Sequence, residues 1–157
     1  GLANIEAVVI EDFTFSGNSI AVEVSGLGDY EYSLDGVSYQ LESFFTNLAS
    51  GDYTIFVRDR NGCGVSTKNV SLLNYVKFFT PNGDGDNDYW QISGSQFEPD
   101  LRVYIYNRYG KLLTSFLGDQ LGWDGSYNGK IMPTSDYWFV VERSNGLTHT
   151  GHFTLKR

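Results

Sequence analysis

The stretch Thr80–Trp90, TPNGDGDNDYW, decides how this chain is read. It sets Asn82, Asp84, Asp86 and Asp88 at every second position of a glycine-rich loop. Two local readings fit that spacing. In one, the Asp and Asn side chains accept hydrogen bonds from nearby backbone N–H groups as Asx turns. In the other, the same oxygens wrap a Ca²⁺ ion, which takes roughly six to eight oxygen ligands. Repulsion among three neighbouring carboxylates argues for the ion, because the nearest basic side chain in sequence is Lys77, seven residues before Asp84. The EF-hand pattern is not met. With Asp84 first, the sixth position is Tyr89 instead of Gly and the twelfth is Ser95 instead of Glu. A structural calcium held by Asn82, Asp84, Asp86 and Asp88 is thus one expectation and a set of turns the other, and no further cofactor is indicated.

Outward from the loop, the 157 residues suit one mid-sized or two small domains. Apolar residues at 41% are enough to pack a core, which argues against disorder. Tyr, Phe, Val and Thr cluster in short runs parted by Gly, Asn, Asp and Ser, which predicts strands. No run approaches the roughly 20 apolar residues of a membrane-spanning helix. No basic segment and apolar run open the chain, so no signal peptide is read at Gly1, and the chain looks like part of a longer protein.

Residues 1–73 carry 3 basic and 10 acidic side chains, whereas residues 74–157 carry 8 and 9. An acidic first half repels phosphate backbones and argues against nucleic acid as a partner. The lone Cys63 cannot form an internal disulfide. It is either a small buried residue or the partner of a cysteine upstream.

The strand pattern divides at the same place. In the first half, IAVEV (20–24) alternates, Asp35-Gly36 and Asn61-Gly62 mark turns, and Tyr53, Ile55 and Val57 share a face. VSTKNVSLL (65–73) reads as a closing strand. In the second, YVKFFT (75–80) reads as one strand, and LRVYIYNRYGKLLTSFL (101–117) as a hairpin. DYWFVVERSNGLTHTGHFTLKR (136–157) is a second hairpin, turning at Asn145-Gly146. No segment keeps helical spacing. The prediction is an all-β chain of two small β-sandwich domains in tandem, 1–73 and 74–157.

Catalysis finds no support. His149 and His152 stand three apart on a predicted strand and so point to opposite faces. Neither G-x-S-x-G nor H-E-x-x-H occurs, and nothing places two carboxylates across a cleft, so no enzyme is expected.

YVKFFTPNGDGDNDYWQI resembles the opening of the gliding-motility-associated C-terminal domain, the type B sorting domain of the Bacteroidota type IX secretion system. The residues that carry the likeness are Phe79, Thr80, Pro81, Asn82, Gly83, Asp84, Gly85, Asn87, Asp88 and Trp90. Asp86 falls on a variable place of that pattern. VYIYNRYGKLL, GWDGSYNGK, MPTSDYWFVVE and GHFTLKR resemble the family's later motifs in order, so the likeness covers about 75–157. YSLDGVSYQLESFFTNLASGDYTIFVRDRNGCG in the first half is similar to Ig-like repeats of large surface adhesins in the same bacteria.

The resemblance implies two Ig-like sandwiches: an adhesin stalk repeat, then a secretion signal that directs the protein through the translocon to the cell surface. It implies an outer-membrane β-barrel partner and export through the periplasm; the domain is expected not to insert into the membrane and to be a monomer as an isolated fragment. Two candidate recognition patches follow from the strand pattern. One is Arg102, Tyr104, Tyr106 and Arg108 on one strand face, since aromatic and Arg side chains dominate protein hot spots. The other is the last strand, with His152, Thr154 and Lys156 outward and Arg157 at its end as a further candidate; at a sheet edge the strand would accept or add another. The competing function is a calcium-dependent carbohydrate- or surface-binding module using Trp90, Trp123 or Trp138.

Overall fold

The computed structural model describes residues 3–62 and 64–157, so the expectations for Cys63 lie outside the described residues. Its contacts fall into two compact units, Gly1–Asn74 and Tyr75–Arg157. Both are built from strands, with a single 3₁₀ turn at Ser95–Phe97 among the described residues. The all-β sandwich class expected from the sequence is the one observed.

The first unit contains β1 (Asn4–Glu11), β2 (Asn18–Ser25), β3 (Tyr30–Ser33), β4 (Phe44–Leu48), β5 (Gly51–Asp59) and β6 (Val65–Leu72). They form two antiparallel three-stranded sheets, ordered β1-β2-β4 and β3-β5-β6. With the strands lettered in sequence, this is the immunoglobulin arrangement without its fourth strand. Alternation explains the packing: Ile20 and Val22 of one sheet meet Ile55 and Val57 of the other, with Ala3 and Leu72, in one buried cluster. The hairpin expected around Asp35-Gly36 has a shorter second arm than the sequence suggests. After β3 the Asp35 carboxylate gathers the N–H groups of Val37 and Ser38, both at 2.8 Å, and only Gln40 bridges back to Tyr32.

The segment 75–80, read as one strand, is broken. β7 (Asn74–Tyr75) and β8 (Phe78–Phe79) flank a bend at which the Trp90 indole donates to the Val76 carbonyl, 2.8 Å. The rest of the second unit comprises β9 (Ile92–Ser93), β10 (Arg102–Tyr106), β11 (Leu112–Leu117), β12 (Ser126–Tyr127), β13 (Lys130–Ile131), β14 (Ser135–Glu142) and β15 (Thr148–Leu155). Five of these strands make one sheet, β11-β10-β14-β15-β8, in which β8 joins β15 in parallel. Val103, Ile105, Tyr137, Phe139, Val141, Phe153 and Leu155 are buried on one face. Loops anchored by tryptophan cover that face. Trp90 stacks on Phe153 with ring centroids 4.1 Å apart, and Trp123 meets Tyr137 edge-on at 4.9 Å. The two tryptophans bridge through paired backbone hydrogen bonds of 2.9 and 3.0 Å. Gly122 is required there, because a Cβ would collide with the Trp90 carbonyl.

Candidate functional site

In the loop that opened the reading, Asp88 is the organising residue. Its Oδ1 accepts the N–H groups of Asn82 (3.0 Å) and Gly83 (2.9 Å), and its Oδ2 accepts that of Gly85 (2.7 Å). Asn82 Oδ1 takes the Asp84 N–H, and Asp84 Oδ1 takes the Asp86 N–H, as successive Asx turns. Gly83 and Gly85 supply the positive φ angles, 79° and 88°, that turn these N–H groups inward. The Gly85 N–H, with those of Gly83 and Asn82, holds the Asp88 carboxyl below its usual pKa against the opposing effect of desolvation. Among the described residues no group of three or more His, Cys, Asp or Glu side chains is arranged to hold a metal.

The other face of the five-stranded sheet is open, and it carries Arg102, Tyr104 and Tyr106 of the first candidate patch and His152 and Thr154 of the second. Across the strands, Tyr106 of β10 stands beside Trp138 of β14, which stands beside His152 of β15. The Trp138 and His152 rings lie 6.2 Å apart and tilted by 37°. The next rows run Tyr104–Val140–Thr150 and Arg102–Glu142–Thr148. A shallow groove lined by Tyr106, Arg108, Trp138, Thr150 and His152 crosses this face. The sequence offers the two patches as separate candidates, on strands β10 and β15 that are far apart along the chain. It does not show that β14 lies between them and that Trp138, 40% exposed, joins them. The available signal was the alternation of YWFVV, which places Trp138 opposite to the core residues Tyr137 and Phe139.

Several candidates sit differently from their expected places. Arg108 is not on the strand face. β10 ends at Tyr106, and in the turn beyond it the Arg108 guanidinium folds onto Tyr109, donating to its hydroxyl at 2.8 Å. Thr154 donates to Asp136 at 2.6 Å, and the Lys156 ammonium lies 4.9 Å from the centre of the Phe78 ring. Arg157 faces inward as a clamp. It donates to the carbonyls of Met132 (3.0 Å), Gly125 (2.9 Å) and Pro81 (3.3 Å), tying three loops together. The last strand is not a full edge strand, since β8 covers it at Thr154 and Leu155. Trp90 and Trp123 are 0% and 3% exposed and offer no platform to a ligand; of the three tryptophans only Trp138 does.

The model of the CHU_C type IX secretion signal domain matches residues 73–155. The chain belongs to this type IX secretion signal family. The match spans the five-stranded sheet, the Asp88 loop and the tryptophan-anchored loops, so a secretion-signal role and export by the type IX route attach to the second unit. The family and the all-β fold point to a non-enzymatic role. No curated protein matches the chain.

Among solved structures, the 47-kilodalton lipoprotein Tp47 of Treponema pallidum is 12% identical with a TM-score of 0.35, covering 96% of this chain and 50% of its own. SGBP-B of the Bacteroides ovatus mixed-linkage glucan utilization locus, solved in complex with a mixed-linkage heptasaccharide, is 13% identical with a TM-score of 0.31, covering 100% of this chain and 48% of its own. The chain thus spans about half the length of each, and likenesses this distant carry no argument. No helix among the described residues is long and apolar enough to cross a membrane.

Proposed function

We propose that the second unit is the address of a large surface adhesin, read by the type IX translocon and an outer-membrane β-barrel partner through the open face of its five-stranded sheet. The first unit serves as the stalk repeat that precedes it, and the cargo is held at the cell surface of a Bacteroidota cell, in a gliding or adhesive role. The observation that carries the reading is the Tyr106–Trp138–His152 row. It is an aromatic strip that the sheet leaves uncovered in a chain whose family is a secretion signal. Exposed aromatics beside Arg are the composition of protein-binding hot spots.

The Asp88 loop is architectural in this reading. Its own N–H groups satisfy the carboxylate, and a cation at Asn82, Asp84 and Asp86 is not required for closure.

Appending residues 1–157 to a periplasm-directed fluorescent protein tests the address. In a bacterium with type IX secretion the fusion is expected outside the cell, and to stay in the periplasm when the secretion system is deleted. Retention in the wild-type strain, where another sorting domain exports the same reporter, overturns the proposal. The exposure of Trp138 favours a second reading, a carbohydrate-binding module. Binding of the purified chain to glycans, lost in Trp138→Ala, together with export that does not depend on residues 74–157, would put that reading first.

A further inference from the structure

β15 leaves part of the sheet edge uncovered. Thr154 and Lys156 donate their N–H groups to the carbonyls of Lys77 and Phe79, at 2.8 and 2.9 Å, and there the cover by β8 stops. Outward-directed main chain recurs at every second residue of a strand ladder. Thr148, Thr150 and His152 therefore present N–H and C=O groups on the same side as Thr154. All three residues are exposed, and among the described residues no strand lies beside them.

The other edges of the three- and five-stranded sheets each carry a guard. β1 carries Glu6 and Glu11 and a bulge between Ile5 and Ala7. β6 carries Lys68 at mid-strand. Gln40 covers β3 at Tyr32 with reciprocal 2.8 Å hydrogen bonds. β4 bends at Asn47, whose φ is 56°. β8 is only two residues long. On β11, Gln120 accepts the Leu117 N–H at 2.8 Å and Gln91 donates to the Leu117 carbonyl at 3.3 Å. Charge, bulges, shortness and cover are the means by which sheet proteins prevent stray pairing. The run Thr148–His152, THTGH, has no Lys, no acid, no Pro and no register shift. Its glycine has another cause: a Cβ on Gly151 would lie 2.8 Å from the Phe139 ring.

We propose that this edge accepts an extended strand from the export machinery, continuing the line of hydrogen bonds that β8 begins. The inference rests on the address reading and specifies how the partner binds. The partner supplies a proline-free extended segment of about five residues, a typical strand length. Its main chain pairs with Thr148, Thr150 and His152. Its residues opposite these three fall on the open face beside the Trp138 row, where uncharged β-branched or aromatic side chains make the favourable cross-strand pairs. Backbone pairing then gives affinity and the neighbouring aromatic row gives selectivity, as in other strand-addition complexes.

Two measurements on the whole chain test this. The first is amide hydrogen exchange of residues 1–157 alone. Thr148, Thr150 and His152 are expected to exchange fast, and Gly151 and Phe153, whose N–H groups face β14, slowly. Equal protection of all five overturns the proposal, and a doubled mass in sizing would assign the edge to a second copy of the chain. The second is reporter export with Thr150→Pro, Thr150→Lys and Thr150→Val. The Thr150 N–H makes no bond to β14, so proline removes an edge donor and not a ladder bond. With melting curves unchanged, Thr150→Pro and Thr150→Lys are expected to lose export, and Thr150→Val to keep it. Normal export of a folded Thr150→Pro variant overturns strand addition while leaving the address intact. Failure of the unsubstituted fusion overturns the address and this inference with it.

Discussion

In the first unit two three-stranded sheets close over an aliphatic core of Ile20, Val22, Ile55, Val57 and Leu72. In the second one five-stranded sheet is accompanied by loops and the two-stranded pairs β7-β9 and β12-β13, and large aromatics, Phe79, Trp90, Trp123, Tyr137, Phe139 and Phe153, join the aliphatic side chains in the core. The contrast follows from what each cover is made of. A second sheet satisfies its own backbone, so small β-branched residues suffice to fill the gap. Loops and two-residue pairs satisfy less of theirs, and a large side chain that packs and also donates helps to hold them down. Trp90 and Trp123 do both, packing on Phe153 and Tyr137 while their indole N–H groups bond Val76 and Ser126 carbonyls, each at 2.8 Å. The loop motifs of the second unit are therefore fold determinants.

Removing an anchor should break this contrast most. Trp90→Ala deletes a fully buried indole and should cost the second unit about 3–5 kcal/mol, the usual range for such truncations. The first unit should keep its melting transition; calorimetry that shows both transitions falling together would mean that the units do not melt separately. Arg157→Ala comes next. It unties three backbone carbonyls, and hydrogen bonds from a charged donor are worth about 1.5–3 kcal/mol when intact. A loss of about 2 kcal/mol in denaturant melts is expected, and no loss would make the clamp incidental.

A subtler effect concerns pH. Asp88 has a lowered pKa, first through the Gly85 N–H, so protonating it is harder in the folded chain than in the unfolded one. Its contribution is complete above the ordinary Asp pKa and is lost as pH falls through the lowered value. Asp88→Asn should therefore melt below the unsubstituted protein at neutral pH, and the gap between the two curves should narrow in acid. Asp35 in the first unit has a lowered pKa too, first through the Val37 N–H, and should show the same sign in that unit's transition. The smallest effect is expected from chelation. EDTA should leave the second unit's melting temperature unchanged. A drop of several degrees, with metal found by elemental analysis, would establish an ion bound only by the folded loop.

Local features were legible in the sequence. Alternation in IAVEV, LRVYIY and YWFVV names the buried faces, because the strand period is two wherever one face packs. Asn-Gly at 145–146 names a hairpin turn for the same local reason. What escaped is set by partners distant in sequence. The break between β7 and β8 depends on where the Trp90 indole finds its acceptor. Arg157 reads from the sequence as a partner-binding residue because nothing nearby in sequence shows that Pro81, Gly125 and Met132 converge on it. The two recognition patches merge only when β14 takes its place between β10 and β15. In the Asp88 loop the Asx-turn reading finds its hydrogen bonds, and what the sequence hid is that the fold brings three N–H groups to Asp88 itself.

The parallel joint between β8 and β15 also bears on timing. Arg157 and Pro81, which meet beside that joint, are 76 residues apart, nearly the full length of the second unit. Pairings of such long span form late, because the chain's loop entropy must be overcome before any contact rewards it. A signal that seals itself through its most distant contact spends longer as an open chain than a unit built from neighbouring hairpins. That delay is an interval in which the last strand and its uncovered edge stay within reach of another chain.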